Sequence, residues 1–151
     1  MIPDVGRLSV DMLDRLEDAT PELPPHARET AALYTTTFFK STYVTTIHKL
    51  QAVKLGLLTQ TQMEEITAGR KPSDLDKERS VAYDVAEHLL AVRGSLPDEL
   101  YERSLKTFGK EGTVALMHLV SLMAWTSMGL NVADVQPERL KSGFFDVQKH
   151  S

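Results

Sequence analysis

The chain has 151 residues, 42% of them apolar and 25% charged, with a formal net charge of −4. That length suits a single domain with a sizeable core, and the acidic balance argues against nucleic acid or an anionic membrane as partner. Cysteine is absent, which removes disulfides, thiolate catalysis and thiolate-bound metal together.

The opening residues, MIPDVGRLSV, carry neither an apolar segment nor a cleavage-site pattern, so the expectation is a cytoplasmic protein. Ser9 is a candidate N-cap for a first helix, in which Met12, Leu13 and Leu16 recur at helical spacing. Pro21, Pro24 and Pro25 then mark a connector. From Ala27 to Gly56 the chain runs without another glycine or proline. Within it TTTFF and YVTTI have strand-like composition, but the lack of any breaker favours helix. LLTQTQMEEITAG reads as a helix capped by Thr59 or Thr61 and stopped by Gly69. The next helix is capped by Ser73 or Asp74 and stopped by Gly94, with Leu75, Val81, Val85, Leu89 and Val92 as its buried stripe. Ser95 is placed near a further cap, with Pro97 in the first turn and Gly109 at the end.

From about Lys110 to Leu130 the chain is apolar on nearly every side, the pattern of a central helix or a subunit contact. Its longest apolar run, Val114 to Trp125, is too short to span a bilayer. Leu116, Leu119, Leu122 and Met123 are core or subunit-contact candidates, and His118 is expected as a satisfied core histidine. Pro137 opens a possible short last helix. The expectation is an all-α, compact, multi-helix single domain over 1–151.

Among ionisable residues of the first half, Glu29 and His48 stand nineteen positions apart. On one straight helix they would lie roughly 28 Å apart along the axis and never share a substrate. A bend near Phe38–Ser41 would fold the halves back as antiparallel neighbours, and Ser41 is a credible N-cap for the second half. Ser41, Val44, Thr45 and His48 then fall on one face. His26, His88 and His150 read as ordinary surface residues. No two histidines lie within one helical turn and no acidic cluster joins them, so no metal site is expected.

The stretch HARETAALYTTTFFKSTYVTTIHKLQAVKLGLLTQTQMEEITAG resembles the core of the carboxymuconolactone decarboxylase and alkylhydroperoxidase-D-like superfamily. In that pattern a glutamate precedes a histidine by the same nineteen positions, and Gly56, Leu57, Leu58, Thr59, Glu64 and Glu65 fit the continuation. The family's tyrosine–glutamate–tryptophan–x–x–histidine motif is matched at Tyr43 and His48, but Val44 and Thr45 replace its acidic and indole residues. LNVADVQPERL is similar to the family's terminal stretch at Leu130, Asn131, Val135 and Pro137. The likeness covers about residues 25–137, leaving 1–24 as an N-terminal helix with its proline-rich connector and 138–151 as a tail.

The resemblance implies an alkylhydroperoxidase-D-like fold and a homo-oligomer, a trimer or hexamer. The peroxidase branch carries two cysteines where Ser41 and Val44 stand here, so thiol-based peroxide reduction is excluded. What the resemblance then implies is a cofactor-free acid–base enzyme of the decarboxylase branch, acting on a small carbonyl- or lactone-bearing acid by decarboxylation or isomerisation. His48 would move a proton at carbon, Glu29 would hold its tautomer, and Tyr43 with Ser41 or Thr45 would bind the developing enolate oxygen. Plainer readings stand beside these: Glu29 as a solvated first-turn residue, His48 as a rim histidine, Tyr43 as a core or interface aromatic, Ser41 as a cap. The rival to an enzyme is a catalytically retired helical module for ligand binding or assembly.

Overall fold

Pro24 and Pro25 set the start of the first long helix, α1 (Pro25–Phe38), where a missing N–H costs nothing and a fixed φ is already helical. The computed structural model describes residues 8, 11–12, 14–16, 20–92, 94–134 and 136, so Ser9 and Leu13 of the first expected helix, the Pro137 helix and His150 lie outside the described residues. After α1 come α2 (Thr42–Leu55), α3 (Gln60–Thr67), α4 (Lys77–Glu87), a π-helical turn (His88–Val92) and α5 (Asp98–Val132). All regular structure among the described residues is helical, as the unbroken segments predict.

The central helix is α1, not the more apolar α5. It packs against α2, α3, α4 and α5, and Ala27 together with every residue from Glu29 to Thr36 is buried. Short side chains let neighbours approach from all sides. In the strand-like TTTFF two hydroxyls find carbonyls one turn back, Thr35 Oγ1 donating to Ala31 O at 2.7 Å and Thr36 Oγ1 to Leu33 O at 3.2 Å, as Thr30 Oγ1 does to His26 O at 2.8 Å, while the buried Thr37 hydroxyl has no partner among the described residues. Tyr34 packs edge-on against Tyr83 of α4, with ring centroids 4.8 Å apart. Burial raises both phenol pKa values above the usual tyrosine value, and the nearby carboxylate of Glu87 adds to the rise.

Three successive helices end in the same turn. In each, a left-handed residue closes the helix (Lys40, Gly56 and Gly69) and the N–H of the residue after it reaches back to the last turn. For α1 these bonds are Lys40 N–H to Thr37 O at 2.9 Å and Ser41 N–H to Thr36 O at 3.0 Å. The bend between α1 and α2 therefore falls inside Phe38–Ser41.

Thr59 caps α3 in a reciprocal box with Gln62, resolving the choice between Thr59 and Thr61. The expected cap of α4 at Ser73 or Asp74 is corrected to Asp76, whose carboxylate accepts Arg79 N–H at 2.8 Å. The Arg79 guanidinium also donates to Leu57 O from Nε and Nη2, at 3.1 and 2.8 Å, tying α4 to the α2–α3 connection. Of the expected α4 stripe, Val81 and Val85 are buried but Val92 is exposed, because the π-helical turn shifts the phase of the last residues. The cap expected near Ser95 moves to Pro97.

Gly109 breaks α5 with φ 68° and ψ −177°, a conformation open to glycine alone, so the stop expected there is a sharp bend within one continuous run. The bend lets Ser104 and Thr113 share a buried 3.0 Å hydrogen bond across it. Beyond it α5 runs alongside α1 in the same direction. Gly112 sits against Glu22 at one end, and Asn131 Nδ2 donates to Phe39 O at 2.7 Å at the other. Leu116, Leu119, Leu122 and Met123 are buried as expected, but the helix is not enclosed all round. His118 is exposed, which corrects its placement in the core: it lies on the side of α5 turned away from α1.

Candidate functional site

The Phe38–Ser41 turn folds α2 back along α1, and the residues that meet across the seam are polar. His48 Nδ1 lies 2.9 Å from Glu29 Oε1. Nearer the bend, Thr45 Oγ1 donates to Thr36 Oγ1 at 3.1 Å. These two contacts set the register of the helical hairpin.

The pair is well removed from water, with 5% of the Glu29 side chain and 15% of the His48 side chain exposed. An ionised carboxylate can only accept, so the hydrogen of the pair sits on Nδ1 of the imidazole. That assignment leaves the Nε2 lone pair to take a proton, and makes Glu29 the group that would stabilise the resulting imidazolium. With the carboxylate ionised, the arrangement fixes the imidazole tautomer and is one through which a proton could pass.

The other expected residues fall differently. Ser41 occupies the N-cap position of α2 and is buried, yet its hydroxyl makes no capping bond and has no partner among the described residues. Thr45 shares the seam with His48. Tyr43 is half-buried and sits about 140° around α2 from His48, turned away from the pair. The structure thus groups Glu29, His48 and Thr45 on the seam, Ser41 at its bend, and Tyr43 apart.

Arg28, which the sequence reasoning did not single out, adds a further buried polar group to α1. Its Nη1 is buried without a partner among the described residues, directly beside Glu29 in the chain. The signal was available, since Arg28 and Glu29 are the last charges before Lys40 in an otherwise uncharged helix.

Two grooves open on the surface. One, of about 250 Å³, lies between α2 and α3 and is lined mainly by Leu50, Val53, Met63, Lys49 and Glu64. The other, of about 200 Å³, lies at the bend and includes Lys40, Thr42, Asn131 and Asp134. Neither of these two grooves is lined by Glu29 or His48.

Elsewhere His26 is half-buried and paired with Glu78 at 2.6 Å, which corrects its reading as an ordinary surface residue. His88 Nε2 bonds Ser95 O at 3.1 Å. Among the described residues no three metal-ligating side chains come together. Searches of protein-family models, of curated proteins and of solved structures find no match to this chain.

Proposed function

We propose that the chain is a cofactor-free acid–base enzyme, carboxymuconolactone-decarboxylase-like, acting on a small carbonyl- or lactone-bearing acid. The reading includes an alkylhydroperoxidase-D-like fold and homo-oligomeric assembly, both on the strength of the sequence resemblance. The observation that carries it is the 2.9 Å contact between Glu29 and His48. A buried carboxylate against Nδ1 fixes Nε2 as the proton-transfer atom, and such positioned groups contribute about 10²–10⁴-fold to rate.

In a decarboxylation the carbon–carboxylate bond breaks, CO2 departs, and the electron pair is delocalised onto the carbonyl as an enolate. His48, protonated from solvent, then donates that proton from Nε2 to carbon and is reprotonated by water for the next turnover, and Glu29 holds the imidazole through both stages. Isomerisation would use the same dyad to remove a proton from one carbon and return it to another. The Arg28 guanidinium is the group suited to hold the substrate carboxylate, and Ser41 or Thr45 to receive the enolate oxygen. Tyr43 would reach substrate only from another side, so its part in the reading is the weakest.

The test is CO2 release from carboxylated unsaturated lactones. His48→Ala should lower the rate at least about 100-fold, Glu29→Gln less, and Arg28→Gln should act mainly on KM. Equal rates in wild type, His48→Ala and Glu29→Gln would overturn the reading. One observation favours the alternative of a retired site: neither surface groove includes the dyad. On that alternative, no carboxylated lactone loses CO2, whether or not its binding perturbs the His48 imidazole resonances.

A further inference from the structure

Beyond the Gly109 bend, α5 exposes a row of side chains in which every member falls on one line: Val114, His118, Ser121, Trp125, Met128 and Val132. The spacing alternates four and three residues, the repeat by which one helix meets another through interlocking side chains. Val114 is 38% exposed, Trp125 43%, Met128 48% and Val132 90%, with His118 and Ser121 exposed between them. Between Glu111 and Asp134 no charged residue occurs. Five turns of exposed helix without a charge is unusual for a surface facing water.

We propose that this row is the interface of a homodimer in which the α5 helices of two copies pack antiparallel. The inference does not depend on the acid–base chemistry; it assigns a two-fold contact and a stoichiometry that differ from the trimer or hexamer implied by the resemblance. Antiparallel pairing about a two-fold axis at the level of Met123 sets Val114 against Val132, His118 against Met128 and Ser121 against Trp125. The central layer thus pairs the smallest side chain of the row with the largest, and each layer joins one class of heptad position to the other, as antiparallel seams require. A parallel pairing would instead stack Trp125 on Trp125 and Ser121 on Ser121.

Charge and width favour a second copy over a lipid surface. An 18-residue window of α5 is apolar enough to cross a membrane by length and composition, but 44% of it is buried in the protein. A helix lying on a membrane carries Lys and Arg along its polar flanks. Here the flanks, among them Leu122 and Ala124, turn into the protein core. The row is about 27 Å long and buries on the order of 500 Å² per copy when paired. That is less than the roughly 800 Å² per partner of a standard stable interface, so the dimer forms reversibly with concentration.

The chain without cysteine provides a direct test. Sedimentation velocity over a dilution series should show a monomer–dimer equilibrium, and Trp125→Glu, at an exposed position, should leave only monomer with unchanged circular dichroism. In a glutathione redox buffer the double variant Val114→Cys/Val132→Cys should form disulfide-linked dimers, while Val114→Cys and Val132→Cys singly should not. A wild-type chain that stays monomeric throughout, a dimer unaffected by Trp125→Glu, or efficient cross-linking of either single cysteine variant would each overturn the proposal. So would flotation of the wild-type chain with neutral phosphatidylcholine vesicles in place of self-association.

Discussion

Glu29 Oε1 and His48 Nδ1 meet at 2.9 Å with both side chains largely out of water, so each is the other's only close charge partner among the described residues. Removing the imidazole strands a buried carboxylate. His48→Ala should therefore lower the unfolding free energy by about 3 kcal/mol, whereas Glu29→Gln, which still offers an acceptor to Nδ1–H, should cost about 1 kcal/mol. Urea unfolding of the two variants measures the difference, and equal losses would contradict it.

Lys40 holds a left-handed backbone, φ 53°, at the bend where most helices of this ending carry glycine. A side chain in that region costs about 1–2 kcal/mol, part of which glycine would forfeit through its freer unfolded chain. Lys40→Gly should raise stability by about 0.5–1 kcal/mol net, seen as a higher urea midpoint at unchanged slope.

Two glycines of α5 should respond oppositely to alanine. A Cβ at Gly112 would stand 2.8 Å from Phe108 Cβ and 3.2 Å from Glu22 Cβ, so Gly112→Ala should destabilise by about 1–3 kcal/mol. At Gly129 nothing among the described residues lies within 4 Å, and Gly129→Ala should stabilise by up to about 1 kcal/mol. Thermal melts of both variants in parallel decide it.

Tyr83 is 0% exposed and its hydroxyl has no partner among the described residues. Burial, then the Glu87 carboxylate, raises its pKa above the usual 10.0. Unfolded Tyr83 ionises near 10 while the folded phenol stays neutral, so unfolding releases a proton above that pH. The stability is fully present below pH 10 and falls as pH rises beyond it, by at most about 1.4 kcal/mol per pH unit for this residue. Tyr83→Phe should flatten that alkaline limb and leave neutral-pH stability unchanged or raised by about 1 kcal/mol. A steeper alkaline loss in the variant would contradict the assignment.

The helical hairpin was legible because Glu29 and His48 are useful to each other only if the chain bends, and Ser41 marks where it can. The form of the bend was not legible. Gly56 and Gly69 announce the same turn in their own letters, whereas Lys40 adopts it under the pull of two backbone bonds and Asn131. The core helix was misjudged for a related reason. Hydrophobicity pointed to the segment around Leu116–Met123, but what lets a helix be surrounded is small girth, which Ala31, Ala32 and the threonines of α1 supply. His118 was lost with that error, because an imidazole in an apolar run reads the same whether the run faces inward or outward. The Tyr43 assignment followed a motif, and a five-residue step along α2 carries that side chain round to the other side.

The latch from Asn131 to Phe39 joins residues 92 positions apart. During synthesis both helices of the hairpin emerge long before it, and at ordinary elongation rates the wait is on the order of ten seconds. A nascent chain halted ahead of Asn131 already carries the glutamate and the histidine, but lacks the late-arriving clasp on the elbow between them.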